Sequence, residues 1–184
     1  MKKYIILSLI FAIGFSSCKN AFEKELGEVE KLLAEVNETE KSLLAVDTAK
    51  VFSTKRQMEK DLLTINAIND TLTKAEAFKI DELFSSKKRV FRLAENYADF
   101  FGQINFSKNQ LKNLKQDIEN GLITKEDFAI HFVEEQNAVS ELKKKISKRV
   151  DGLDVDLEKF RLFRPAIDEF IEHRKNKAAD ELVK

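Results

Sequence analysis

The sequence predicts an all-α protein, an antiparallel helical bundle of four or five helices, with an elongated coiled-coil-like form as the second shape it allows. Three observations predict it. Five Gly and one Pro in 184 residues, beside abundant Glu, Lys, Leu and Ala, is the composition of long helices. Apolar residues recur at alternating spacings of three and four, which puts them on one helix face. No stretch alternates apolar and polar residues for long enough to predict a strand.

The chain opens on a different kind of segment. Lys2 and Lys3 precede an uncharged run of twelve residues, Tyr4 to Phe15, and then Phe15-Ser16-Ser17-Cys18. Twelve is the length of a secretion-signal core and short of the roughly 20 residues that a membrane span needs. The segment resembles a bacterial lipoprotein signal, whose box is commonly Leu, a small residue, Gly or Ala, then Cys. The resemblance implies cleavage of residues 1–17, a diacylglycerol on the Cys18 thiol and acylation of the new N-terminus. It also implies a place in the cell envelope, with the membrane as a partner through Cys18. Two or more acyl chains hold a bilayer stably where one does not. Cys18 is the only cysteine, so no internal disulfide is possible. Lys19 stands where an Asp holds some lipoproteins at an inner membrane, which favours the outer membrane.

Residues 18–21 would form a short lipid-anchored tether to a helical domain over 22–174. The first helix is expected from about Phe22 to Val46. Its seam reads Phe22, Leu26, Val29, Leu33, Val36 and Leu43, broken at Glu40 and widened by Leu32 and Leu44. Asp47 is the N-cap of a second helix to about Ile68, with Val51, Phe52, Met58, Leu62, Ile65 and Ile68 inward, and Asn69-Asp70 ends it.

Thr73-Lys74-Ala75-Glu76 fits a capping box that opens a helix to about Phe101. Gly102 is expected to stop or bend it, and Ser107 to cap a further segment through Ile118. Asn120-Gly121 is the clearest turn, because Gly tolerates positive φ after a helix end. Thr124 caps the next helix, marked by Phe128, Phe132, Val139, Leu142, Ile146 and Val150. Beyond Asp151-Gly152 the residues Leu153, Leu157, Phe160, Phe163, Ile167 and Ile171 keep the helical spacing, so the helix is expected to resume or to run through. Pro165 predicts a kink or restart. Residues 175–184 form a polar tail expected to fray.

Without the signal the chain carries 30 basic and 32 acidic residues, which excludes a general nucleic-acid binder. No catalytic motif stands in the sequence: no G-x-S-x-G, no P-loop, no G-x-G-x-x-G, no H-E-x-x-H. His131 lies four residues from Asp127 and Glu135, and His173 four from Glu169, but Phe128 and Phe170 stand where a di-iron bundle needs Glu. Both histidines are read as surface residues, with no metal and no cofactor expected and no enzyme activity. The basic runs Lys87–Arg89 with Arg92, and Lys143–Lys145 with Lys148 and Arg149, are read as solvated faces. Phe100, Phe101, Phe106, Phe160 and Phe163 are expected in the core. The expectation for function is a non-catalytic helical interaction or scaffold module whose partner is another envelope protein. The alternatives are a periplasmic holdase or stress sensor, on the faint L-T match at Leu72-Thr73, and a small-ligand or metal carrier on the two histidines.

Overall fold

The computed structural model describes residues 22–68 and 71–182. Among these the protein is all-α. The helices are α1 (Glu23–Leu44), α2 (Thr48–Ala67), α3 (Lys74–Leu83), α4 (Lys87–Glu119), α5 (Lys125–Val150) and α6 (Leu153–Leu182). Five of them have 20 to 33 residues and α3 has ten. The signal segment, Cys18, and the expected stop at Asn69-Asp70 lie outside the described residues.

The expected caps close as drawn. The Asp47 carboxylate accepts from the Lys50 N–H at 2.9 Å. At α3 the Thr73 hydroxyl accepts from the Glu76 N–H at 3.2 Å, and the Glu76 carboxylate accepts from the Thr73 N–H at 2.8 Å. After α4, the Leu122 N–H bonds the Asp117 carbonyl and the Gly121 N–H bonds the Ile118 carbonyl, with Gly121 at φ 65°. That pair of bonds is a Schellman turn.

Four boundaries differ from the sequence expectation. The helix expected from Thr73 to Phe101 is broken at Phe84–Ser86, where Ser86 is buried and its carbonyl starts α4. Gly102 does not stop α4, and Ser107 is a buried residue inside it instead of a cap. The reason is the buried series Phe100, Ile104, Ser107, Leu111, Leu114 and Ile118, which runs through the Gly102 turn. That burial outweighs the roughly 1 kcal/mol that a helical Gly costs relative to Ala. Pro165 lies within α6, with no restart there. The polar stretch from Lys175 continues α6 as far as Leu182.

The chain divides into two compact units, one of Met1–Glu38 with Ile104–Glu141 and one of Thr39–Gln103 with Leu142–Lys184. In the first, α1 starts beside the turn between α4 and α5. Lys125 reaches Glu25 at 3.0 Å and Lys115 reaches Glu30 at 2.6 Å. The first part of α1 therefore runs antiparallel to the last part of α4. Val29, Leu32, Val36, Leu111, Ile118 and Phe128 are among the buried side chains.

In the second unit α2 and α3 both pack on α6. α3 runs antiparallel to α6, with Glu76 near Arg174 and Phe84 against Phe160, ring centres 6.1 Å apart. Met58, Leu83, Leu93, Ile146, Leu157 and Ile167 are fully buried. The α5–α6 break is fixed by Gly152 at φ 74°, where a β-carbon would sit 3.2 Å from the Arg89 guanidinium. Arg89 in turn holds Asp156 at 2.7 Å.

Candidate functional site

Most of the conspicuous charges prove to be architectural. Asp61 is 3% exposed on α2; its carboxylate accepts from Gln57 at 2.9 Å and from Arg164 of α6. Arg164 also donates to Asp168 one turn on. The residue before a proline disfavours α geometry, and these two carboxylates hold Arg164 in it. Arg174, 1% exposed, places its guanidinium 3.4 Å from the Glu76 carboxylate. Glu76 is divided between two tasks, one oxygen closing the α3 cap and the other facing Arg174. Its pKa falls to about 2, first through the Thr73 backbone N–H, then the Thr73 hydroxyl, with Arg174 and Lys177 adding to it.

The basic runs are partly tied. Arg92 sits 3.8 Å from Glu95, and Lys87 lies over the Phe91 ring with Lys55. Lys143, Lys144 and Lys145 are exposed. Phe100 and Phe160 are core residues and Phe101 and Phe163 are half-buried, whereas Phe106 is 64% exposed.

The arrangement best suited to binding is in the first unit. A groove of about 460 Å³ runs between the end of α4 and the start of α5, floored by Leu114 and Ile123. Asp117, Asp127, Glu134 and Glu135 line it with His131. The local helix starts put them there. Thr124 caps α5, accepting from the Asp127 N–H at 3.1 Å while its hydroxyl donates to the Asp127 carboxylate at 2.8 Å. His131 and Glu134 then follow on the same face, 3.4 Å apart. Ile130 and Val133 on α5 are exposed apolar residues in the same unit. Sequence alone marks His131 but not the groove, because Asp117 reaches it from another helix.

Glu135 differs from the other carboxylates. It falls between Phe132 and Val139 in the inward series of α5, and its Oε2 is buried with no hydrogen-bond partner. Burial raises its pKa, the charge of Glu134 raises it further, and His131 opposes both. A raised carboxylate pKa means that the folded chain binds the proton more tightly than the unfolded chain. Stability from this group is therefore present below the ordinary carboxylate range and is lost as pH rises through the raised pKa. Glu135→Gln should raise the melting temperature at neutral pH and leave it unchanged in acid below the ordinary pKa, as read by thermal unfolding across that range.

Among the described residues no group of three or more His, Cys, Asp or Glu is placed to hold a metal ion. His131 and His173 are both exposed. No described helix is long and apolar enough to cross a membrane. Comparison with protein-family models, with characterised proteins and with solved structures finds no match.

Proposed function

We propose that this chain is a lipid-anchored cell-envelope protein acting as a non-catalytic helical interaction module, held at the outer membrane through Cys18. The observation that carries the proposal is the apolar run ending in Phe15-Ser16-Ser17-Cys18, followed by a helix that starts at Glu23. A membrane-held helical domain begins within a few residues of the lipid.

The groove between α4 and α5 supplies the binding face. Its carboxylates suit a basic segment of another envelope protein, and Ile130 and Val133 offer apolar contact alongside. The rim charges steer the encounter, and their effect weakens with salt. Photo-crosslinking in living cells from positions 130 and 134 tests this. The expected product joins the chain to one envelope protein through a Lys- or Arg-rich segment, and Glu134→Lys removes it. Equal crosslinking in the Glu134→Lys background, or none from either position, contradicts the role given to the groove. Density-gradient separation of the two membranes tests the assignment to the outer one.

A further inference from the structure

We infer that the turn between α4 and α5 is a second membrane contact, in which Leu122 enters the bilayer beside the lipid on Cys18 and fixes the orientation of the first unit. The inference rests on the lipid anchor proposed above and extends it.

Leu122 is 73% exposed, the highest value among the exposed large apolar side chains of the described residues. Its exposure has a local cause. In a Schellman turn the residue two beyond the C-cap ordinarily packs its apolar side chain on the residue that takes its N–H bond. Here that residue is Asp117, which offers no apolar surface, so most of the leucine stays open to solvent at the edge of the α4–α5 groove, which it helps to line. Gly121 at φ 65° holds the turn in this form.

The turn is also at the anchored end. Lys125, three residues after Leu122, bonds Glu25 at 3.0 Å, and its ammonium lies 5.3 Å from the centre of the Phe22 ring. Only Lys19 to Ala21 separate Phe22 from Cys18. Those four residue steps reach at most about 14 Å when fully extended. A lipid on Cys18 therefore keeps the Phe22–Lys125 contact within about 14 Å of the anchored residue, with Leu122 only three residues from Lys125. One leucine would not hold a protein on a membrane by itself. Once the acyl chains have done so, the leucine's local concentration at the bilayer is high, and its burial selects one orientation.

Electrostatic attraction to anionic headgroups is the weaker account of this end. Lys24 and Lys125 are outnumbered there by Glu23, Glu25, Asp117, Glu119, Glu126 and Asp127, so attraction to anionic headgroups does not account for a contact at this end.

The chain has no Trp, so one indole reports on one position. The acylated protein carrying Leu122→Trp is reconstituted in vesicles of phosphatidylethanolamine and phosphatidylglycerol, with and without brominated acyl chains. The control is Phe106→Trp, another exposed site (64%) on α4 in the same unit, about 20 Å along the helix from its end at Glu119. The expected result is a blue-shifted emission and strong bromine quenching for Leu122→Trp, unchanged in high salt, with neither for Phe106→Trp. No quenching at either position, equal quenching at both, or quenching that salt abolishes would overturn the inference. Vesicle flotation of the wild-type chain separates the two levels. If the acylated protein floats and Leu122→Trp is not quenched, the turn contact fails alone. If the wild-type chain carries no lipid and does not float, the anchor and the inference that rests on it fail together. Both sites are exposed, and a wild-type helical circular dichroism spectrum verifies folding of each variant.

Discussion

Arg174→Ala should lower the unfolding free energy by about 2–4 kcal/mol, whereas Arg174→Met should lose about 1 kcal/mol or less. The guanidinium is 1% exposed and lies 3.4 Å from the Glu76 carboxylate. Truncation to Ala has two costs. It leaves a cavity where a long buried stem had packed, and it removes the charge that faces Glu76. Met fills most of the volume without needing a counter-charge, and the Glu76 side chain, 16% exposed, has water available in place of the guanidinium. Glu76 keeps its bonds to Thr73 in both variants, so the α3 cap survives. Urea unfolding of the three proteins gives the comparison. A Met variant as unstable as the Ala variant would mean that the charge, and not the packing, holds α3 on α6.

The same group has a signature in pH. The folded pKa of Glu76, about 2, lies below its ordinary value of 4.5. Its contribution is complete above the ordinary value and is lost as pH falls from there towards 2. The size of that contribution is that of a helix cap, about 1 kcal/mol. Arg174→Ala should make this acid loss shallower, since one of the forces that lowers the Glu76 pKa is gone.

Arg164→Ala should cost about 2–3 kcal/mol, because it leaves the buried Asp61 carboxylate without its counter-charge, and Asp61→Ala less, with a coupling of about 1–2 kcal/mol in the double-mutant cycle. The asymmetry follows from burial. Asp61 is nearly inaccessible, while Arg164 has a side chain 29% exposed and a second carboxylate at Asp168. Without Asp61, the Arg164 head still has Asp168 and water. Pro165 adds to the effect. Its missing N–H leaves α6 one backbone bond short, so loss of the Asp61 contact removes one of the two restraints on the residue before it. Additive single-mutant effects in the cycle would show that Asp61 and Arg164 act separately.

The helical class, the caps at Asp47, Thr73 and Thr124, and the Gly121 turn were all legible in the sequence. They depend on residues within a few positions of one another. The exact seam was less so, and the errors share one cause. At several positions the inward residue is polar and its sequence neighbour is apolar. Asp61 is buried where Leu62 reads as core, and Arg164 contacts α2 where Phe163 reads as core. In α1 the buried series is Val29, Leu32, Val36, Thr39 and Leu43, with Leu33 half-buried and Leu44 exposed. The regular three-four spacing, followed without regard to residue type, picks out Thr39, Asp61, Arg164, Arg174 and Glu135. A search for apolar residues passes over all five. Their partners are what sequence cannot supply, since Asp61 and Arg164 are 103 residues apart.

The groove was half legible for the same reason. His131 and its neighbouring carboxylates stand out by spacing on one helix. The fourth-residue spacing says nothing of Asp117, which α4 brings from the other side of a turn. Leu122 was readable only as a turn residue, because its exposure depends on Asp117 standing where an apolar residue would have covered it.

The central claim is that this helical chain is held at a membrane by lipid on Cys18. Metabolic labelling with a fatty-acid probe tests it most directly, comparing the wild-type chain with Cys18→Ser. The wild-type chain should incorporate the probe and Cys18→Ser should incorporate none. An unlabelled wild-type chain, or a Cys18→Ser chain labelled as strongly as wild type, would contradict the claim.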